Sequence, residues 1–261
     1  LSTARIRSVH LAGAPQLPPM VLGPSLGVPV TALWSSTADR LGRSHHVIGW
    51  DLPGHGASPP LTTSCTIGEL ADAVAALADT EIGDRPFVYA GVSVGGAVGL
   101  QVLLDHPGRI SAAALICTGA KIGTPEDWIA RAGSVRRDGM GAMVPGAAQR
   151  WFAQGFTERD PAVHNTLLES LRNVDSDSYA FICEALAEFD VRERLSEIDT
   201  PIVAVAGADD VVTPPTSLLF IAERVARGRY IELLQTAHLA PVERPDWVAP
   251  LVAGLDEWSR R

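Results

Sequence analysis

A serine, a pair of aspartates and a histidine stand far apart in this chain, each just beyond an apolar run. Ser93 lies within Gly91-Val92-Ser93-Val94-Gly95-Gly96, Asp209-Asp210 follows the run ending at Gly207, and His238 follows the run ending at Leu234. A serine hydroxyl is a poor nucleophile near neutral pH. It needs a base within hydrogen-bond reach, and that base needs a carboxylate to hold its tautomer. Together these side chains could carry acyl transfer, with Ser93 attacking a carbonyl, His238 moving the proton and one aspartate orienting the imidazole. The spacing Gly207-x-x-Asp210 favours Asp210 over Asp209 for that last role.

Such chemistry requires elements that bring distant residues to one place. The β-branched run from Phe87 enters the Gly-x-Ser-x-Gly turn and leaves as a helix-like segment reaching Leu104, which is the strand, sharp turn and helix of a nucleophile elbow. The turn strains the serine backbone and leaves no room for side chains where strand and helix converge. Further strands are predicted over Met20–Leu22, His45–Trp50, Ile110–Cys117, Thr200–Gly207 and Arg229–Leu234, with an edge strand over Ala4–Ala12. Thr66 and Glu69 form a capping-box pattern that opens a helix to about Asp79, and helices are predicted over Pro215–Ala226 and Pro241–Trp258. This alternation predicts a mostly parallel sheet flanked by helices, with the chemistry at the carboxyl ends of the strands.

Two small-residue loops fall at the same edge, Gly23-Pro24-Ser25-Leu26-Gly27 and Asp51-Leu52-Pro53-Gly54-His55-Gly56-Ala57-Ser58. The Gly-x-Gly setting of His55 marks it as loop structure rather than a second base. Developing negative charge on a carbonyl oxygen needs two N–H donors; the spacing offers that of Val94, after the nucleophile, and that of Leu26, with the Ser25 side chain beside the site. From 122 to 190 the strand pattern lapses, and helices are expected over Pro125–Arg137, Met140–Ala153, Val163–Arg172 and Ser176–Ala187. The chain thus divides into a first core part (1–121), an all-helical lid (122–190) and a second core part (191–261).

The net charge of −9 and the absence of Lys/Arg clusters argue against a nucleic-acid partner, and no apolar run approaches membrane-spanning length. Cys65, Cys117 and Cys183 are odd in number and widely spaced, which suggests neither a disulfide framework nor a zinc site. With no secretory pattern over Leu1–Pro19, the expected location is the cytoplasm. No metal or cofactor is expected: there is no HExxH, and the Gly91–Gly96 turn carries a serine where a dinucleotide fingerprint wants bare backbone. The oligomeric state leaves no mark in the pattern.

The order Ser93, Asp210, His238, with Asp51-x-x-Gly54-x-Gly56-x-Ser58 and His238-Leu239-Ala240, resembles the α/β-hydrolase superfamily across nearly the whole chain. More narrowly, Ser25-Leu26-Gly27 with Leu33-Trp34, then Ala120 to Pro125 with Trp128 and Arg131, resemble the 3-oxoadipate enol-lactonases. Gly23-Pro24 departs from the Ser-Asn often found there in those enzymes, and the usual first hairpin is not recognisable in the Pro-rich amino-terminal region. The resemblance implies an α/β-hydrolase fold and a serine hydrolase that opens 3-oxoadipate enol-lactone to 3-oxoadipate in protocatechuate and catechol breakdown. Other carboxylesterases, C–C bond hydrolases and cofactor-free perhydrolases share the pattern, as does a ligand receptor on a hydrolase fold. The implied substrate carries a carboxylate, which a protein of net charge −9 must hold with a local cation. Trp128 and Arg131, three apart on one helix, offer an apolar wall and a forked donor, with Trp151 and Trp34 as further wall.

Overall fold

The computed structural model describes residues 4–259; residues 1–3, the start of the Leu1–Pro19 stretch without a secretory pattern, and the last two residues of the second core part lie outside it. Seven strands form one sheet in the order β1-β3-β2-β4-β5-β6-β7. They are β1 (Arg7–Ala12), β2 (Pro19–Gly23), β3 (His46–Asp51), β4 (Phe87–Val92), β5 (Ile110–Ile116), β6 (Ile202–Gly207) and β7 (Gly228–Leu233). All neighbours are parallel except β1, which runs antiparallel to β3 at the edge. Strands β3, β4 and β6 are buried along their whole length, as their continuous apolar runs require of a sheet covered on both faces. The Pro-rich turn after β1 makes no hairpin with β2, since β3 lies between them in the sheet.

The strand order reverses direction around β2, which lies between β3 and β4. Right-handed crossovers in opposite directions place α1 (Val30–Leu41) and α2 (Ile67–Ile82) on opposite faces. The capping box at Thr66 is present in full, Glu69 N–H bonding the Thr66 hydroxyl at 3.0 Å and the Glu69 carboxylate accepting from Thr66 N–H at 2.9 Å. α3 (Val94–Asp105) leaves the elbow and packs against α2. The crevice at the carboxyl ends of β2 and β4 is the switch point at which open sheets bind ligands.

Between β5 and β6 the chain is helical: α4 (Pro125–Asp138), a 3-10 turn Met140–Met143, α5 (Val144–Arg150), α6 (Phe156–Arg159), α7 (Pro161–Arg172), α8 (Ser176–Glu188) and a second 3-10 segment Arg192–Glu197. The single helix expected over Met140–Ala153 is two short pieces, because Pro145 enters at the first turn of α5. After β6 come α9 (Pro215–Arg224), β7, and α10 (Ala240–Glu243), α11 (Pro245–Ala253) and α12 (Leu255–Ser259). The one long terminal helix predicted from Pro241 is thus three, broken at Arg244-Pro245 and at Gly254. No described helix is long and apolar enough to cross a membrane.

Candidate active site

The register brings the separate loops together. Gly23 lies opposite Gly91, Val92 opposite Ile116, Ile116 opposite Val205 and Gly207 opposite Leu233, so the residues following each strand gather at one edge. Beyond β4 the chain turns at Ser93 with φ 55° and ψ −119°, a positive φ that a side-chain-bearing residue adopts only under constraint. The constraint is visible: Ser93 N–H bonds Ile116 O at 3.0 Å, Ser93 O accepts from the Thr118 hydroxyl at 2.6 Å, and Gly95 N–H bonds Pro24 O at 3.0 Å. A methyl group on Gly91 would run into the Gly95 carbonyl, and one on Gly96 would lie 2.6 Å from the Thr118 side chain. The elbow therefore demands those glycines for lack of space.

His238 and Asp210 meet across the ends of β7 and β6. The His238 Nδ1 lies 2.8 Å from Asp210 Oδ2, with side chains 3% and 0% exposed. Asp210 also accepts from Val212 N–H at 2.8 Å, Thr213 N–H at 3.1 Å and the Thr213 hydroxyl at 2.7 Å. Burial works to raise its pKa, but the His238 ring and the Thr213 bonds outweigh it, so the carboxyl sits below its usual value. An ionised Asp210 fixes the proton of neutral His238 on Nδ1 and leaves Nε2 as the basic nitrogen. Asp209 instead gives its N–H to Thr236 O at 2.9 Å, tying the two loops together through backbone.

Ser93 and His238 both line one small cavity. Ser25 and Leu26 contribute from the β2 loop, and Trp128, Arg131 and Trp151 from the helical segment. The Arg131 guanidinium lies over the Trp128 ring, 4.9 Å from its centroid, so the two share one face of α4. Val94 is the first residue of α3, where an N–H has no acceptor within the helix. Trp34 does not line the cavity: its ring is wholly buried, and its indole N–H donates to Gly23 O at 2.9 Å, which fastens the β2 loop from behind.

Two polar side chains of the cavity, Arg150 and Tyr179, are not marked by the sequence pattern. Arg150, at the end of α5 and one residue before Trp151, lines it beside Arg131; burial first and then the like charge of Arg131 push its pKa down. Among the described residues neither arginine has an ion-pair partner, whereas Arg136 pairs with Glu184 and Arg137 with Asp138. Tyr179 of α8 faces the same space, its phenol pushed up to about 12 by burial against the opposing pull of Arg131 and Arg150. Adjacency to Trp151 was the one signal in the sequence that pointed to Arg150. Among the described residues no group of three or more His, Cys, Asp or Glu side chains is placed to hold a metal ion.

The match of residues 20–251 to the Alpha/beta hydrolase family decides the classification of this fold and site order. The chain belongs to that family. Within the alpha/beta hydrolases it is 34% identical over 233 residues to the 3-oxoadipate enol-lactonase 2 of Acinetobacter baylyi, covering 89% of this chain and 86% of that protein. The 3-oxoadipate enol-lactonase 1 of the same organism is 28% identical, covering 95% and 92%. The crystal structure of the enol-lactonase from Burkholderia xenovorans LB400 superposes with a TM-score of 0.92 at 30% identity, covering 97% of both chains.

Proposed function

We propose that this alpha/beta hydrolase opens the ring of a carboxylate-bearing enol-lactone, 3-oxoadipate enol-lactone or a close analogue, to give 3-oxoadipate through an acyl-enzyme on Ser93. The observation that carries the substrate reading is the pair of guanidinium groups, Arg131 and Arg150, that have no acidic partner among the described residues and line the cavity that also holds Ser93 and His238. In a chain of net charge −9 two cations without acidic partners favour an anionic ligand at that spot. The relatives named as enol-lactonases support the same substrate class.

In the proposed reaction His238 Nε2 takes the Ser93 proton as Oγ bonds to the lactone carbonyl carbon. The oxyanion is held by Val94 N–H and Leu26 N–H. Collapse breaks the ring C–O bond and expels an enolate, still tethered to the acyl group, which receives the proton from the imidazolium. Ketonisation removes the nucleophile that could reclose the ring. A water then gives its proton to His238 and attacks the acyl carbon; the Oγ–C bond breaks, Ser93 recovers its proton, and a carboxylate is released. Asp210 stays ionised throughout, consistent with its depressed pKa. The 122–190 segment acts as the lid that brings Trp128, Arg131, Arg150 and Trp151 over the nucleophile.

A substrate panel tests this reading by comparing kcat/KM for the enol-lactone, a neutral p-nitrophenyl ester and a ring-fission dienoate. The lactone is expected to lead, and Arg150→Ala should cut its kcat/KM by about 1.5–3 kcal/mol, the worth of a hydrogen bond to a charged group, with little change on the neutral ester. Preference for the ester, or equal losses on both substrates, would remove the anionic-lactone assignment.

A further inference from the structure

His55 is 1% exposed and is absent from the cavity lining, so it meets no substrate; its two ring nitrogens are nonetheless both engaged. Gly27 N–H donates to His55 Nε2 at 3.0 Å, and His55 Nδ1 lies 2.9 Å from Pro53 O. A backbone N–H can only donate and a carbonyl can only accept. The ring therefore carries its proton on Nδ1 and is neutral, since an imidazolium would lose Gly27. One face of the ring stacks on Tyr179 of α8, centroids 6.4 Å apart and planes 17° from parallel.

The consequence lies in what this bond holds. The Ser25–Leu26 peptide, whose N–H is the second oxyanion donor of the reading above, is suspended between two anchors. On one side the Pro24 carbonyl is tied to the elbow through Gly95 N–H. On the other Gly27 turns at φ 86°, with a Ser25–Val28 bridge closing the turn and a Leu171 methyl 2.5 Å from where a Cβ would stand. The Gly27 N–H of that turn is held by the His55 ring. We propose that His55 is a positioning residue for the oxyanion site, its Nδ1-protonated imidazole fixing the turn so that the Leu26 N–H is preorganised beside Ser93. The assignment rests on the acyl-transfer reading and adds to it a loop, Asp51 to Ser58, that takes no direct part in the chemistry.

Substitutions separate an acceptor role from a packing role. His55→Phe keeps the ring against Tyr179 but cannot accept from Gly27, whereas the amide oxygen of His55→Gln can reach the Nε2 position. The Phe variant is expected to lose about 10- to 100-fold in kcat on the enol-lactone with KM nearly unchanged, less than the 10²–10³ of deleting an oxyanion donor outright. The Gln variant should recover most of that loss. If the Phe variant does not fold, His55→Asn, whose shorter amide falls short of Gly27, takes its place beside Gln. Nitrogen NMR of the wild type labelled in histidine should show a neutral ring protonated on Nδ1 at pH 7. Turnover of the Phe or Asn variant at the wild-type rate, a KM-only effect, or a ring protonated on Nε2 would overturn the role of His55 alone. Absence of Ser93-dependent turnover in the wild type would instead overturn the underlying reading, and the role of His55 with it.

Discussion

On the sheet side of the cavity Asp210 accepts four hydrogen bonds and the His238–Asp210 pair is buried, whereas on the helical side Arg131 and Arg150 carry charge with no ion-pair partner among the described residues. The two walls answer to different demands. A group that moves protons must be preorganised, so its neighbours satisfy it in advance. A group that selects a ligand keeps its binding capacity free and pays for it with a half-buried charge that the ligand completes. On the proposed reading, preorganisation belongs to the sheet and selection to the helices between β5 and β6.

The largest expected effect comes from disturbing the satisfied side. Asp210→Asn would present an amide N–H to His238 Nδ1 and favour the tautomer with its proton on Nε2, where it cannot accept from Ser93. Turnover should fall by about 10⁴-fold while the fold and the affinity for the lactone persist. A loss under tenfold by steady-state kinetics would mean that the sheet wall is not preorganised in the way its hydrogen bonds suggest.

The comparison sharpens at the seam between the walls. Buried Glu243 accepts Ala153 N–H from the helical side and Ala237 N–H from the loop before His238, each at 2.8 Å, while Leu239 N–H bonds Trp151 O at 3.3 Å. Burial raises the Glu243 carboxyl above its usual pKa, only partly offset by those two N–H bonds. Glu243→Ala would leave two buried donors unsatisfied at about 1–3 kcal/mol each. Urea denaturation is expected to show a loss of about 2–6 kcal/mol; an unchanged midpoint would mean that the two walls are not joined through this carboxylate.

The elbow, the capping box and the order Ser93, Asp210, His238 were legible because each is local: a turn that admits only small residues, a four-residue cap, a strand followed by its loop. Helix α1 carries no such local mark, because its N-cap is Pro29, which makes no side-chain cap bond, and its first turn holds no acid. The breaks in the terminal helix follow from Pro245 and Gly254 but were overridden by the apolar periodicity. Trp34 and Arg150 show a deeper limit. Whether an indole faces a cavity or fastens a loop from behind, and whether an arginine finds an acid, is decided by the tertiary partner and leaves no trace in spacing. His55 could be recognised as loop structure, while what it accepts depends on a glycine 28 positions away.

A smaller effect should appear in acid. The His55 ring is driven from its usual value of about 6.5 to about 4, by burial above all, against the Pro53 bond and the charge of Asp175. Its folded-state pKa lies below the unfolded one, so the unfolded chain binds the proton first as pH falls; stability present above about pH 6.5 is lost on the way down to about pH 4. The contribution is about 3 kcal/mol. The difference in unfolding free energy between wild type and His55→Gln should therefore change by that order across the window, and a difference independent of pH would show that His55 is not buried as a neutral ring.

The most direct test of the central proposal is to look for the intermediate. Enol-lactone mixed with the enzyme, quenched in acid within a turnover and digested, should give by mass spectrometry a peptide containing Ser93 that is heavier by the ring-opened acyl group, and the signal should be absent from Ser93→Ala. Hydrolysis in heavy-oxygen water should meanwhile place one label in the new carboxylate. Undiminished hydrolysis by Ser93→Ala, with no adduct on the wild-type peptide, would contradict the account.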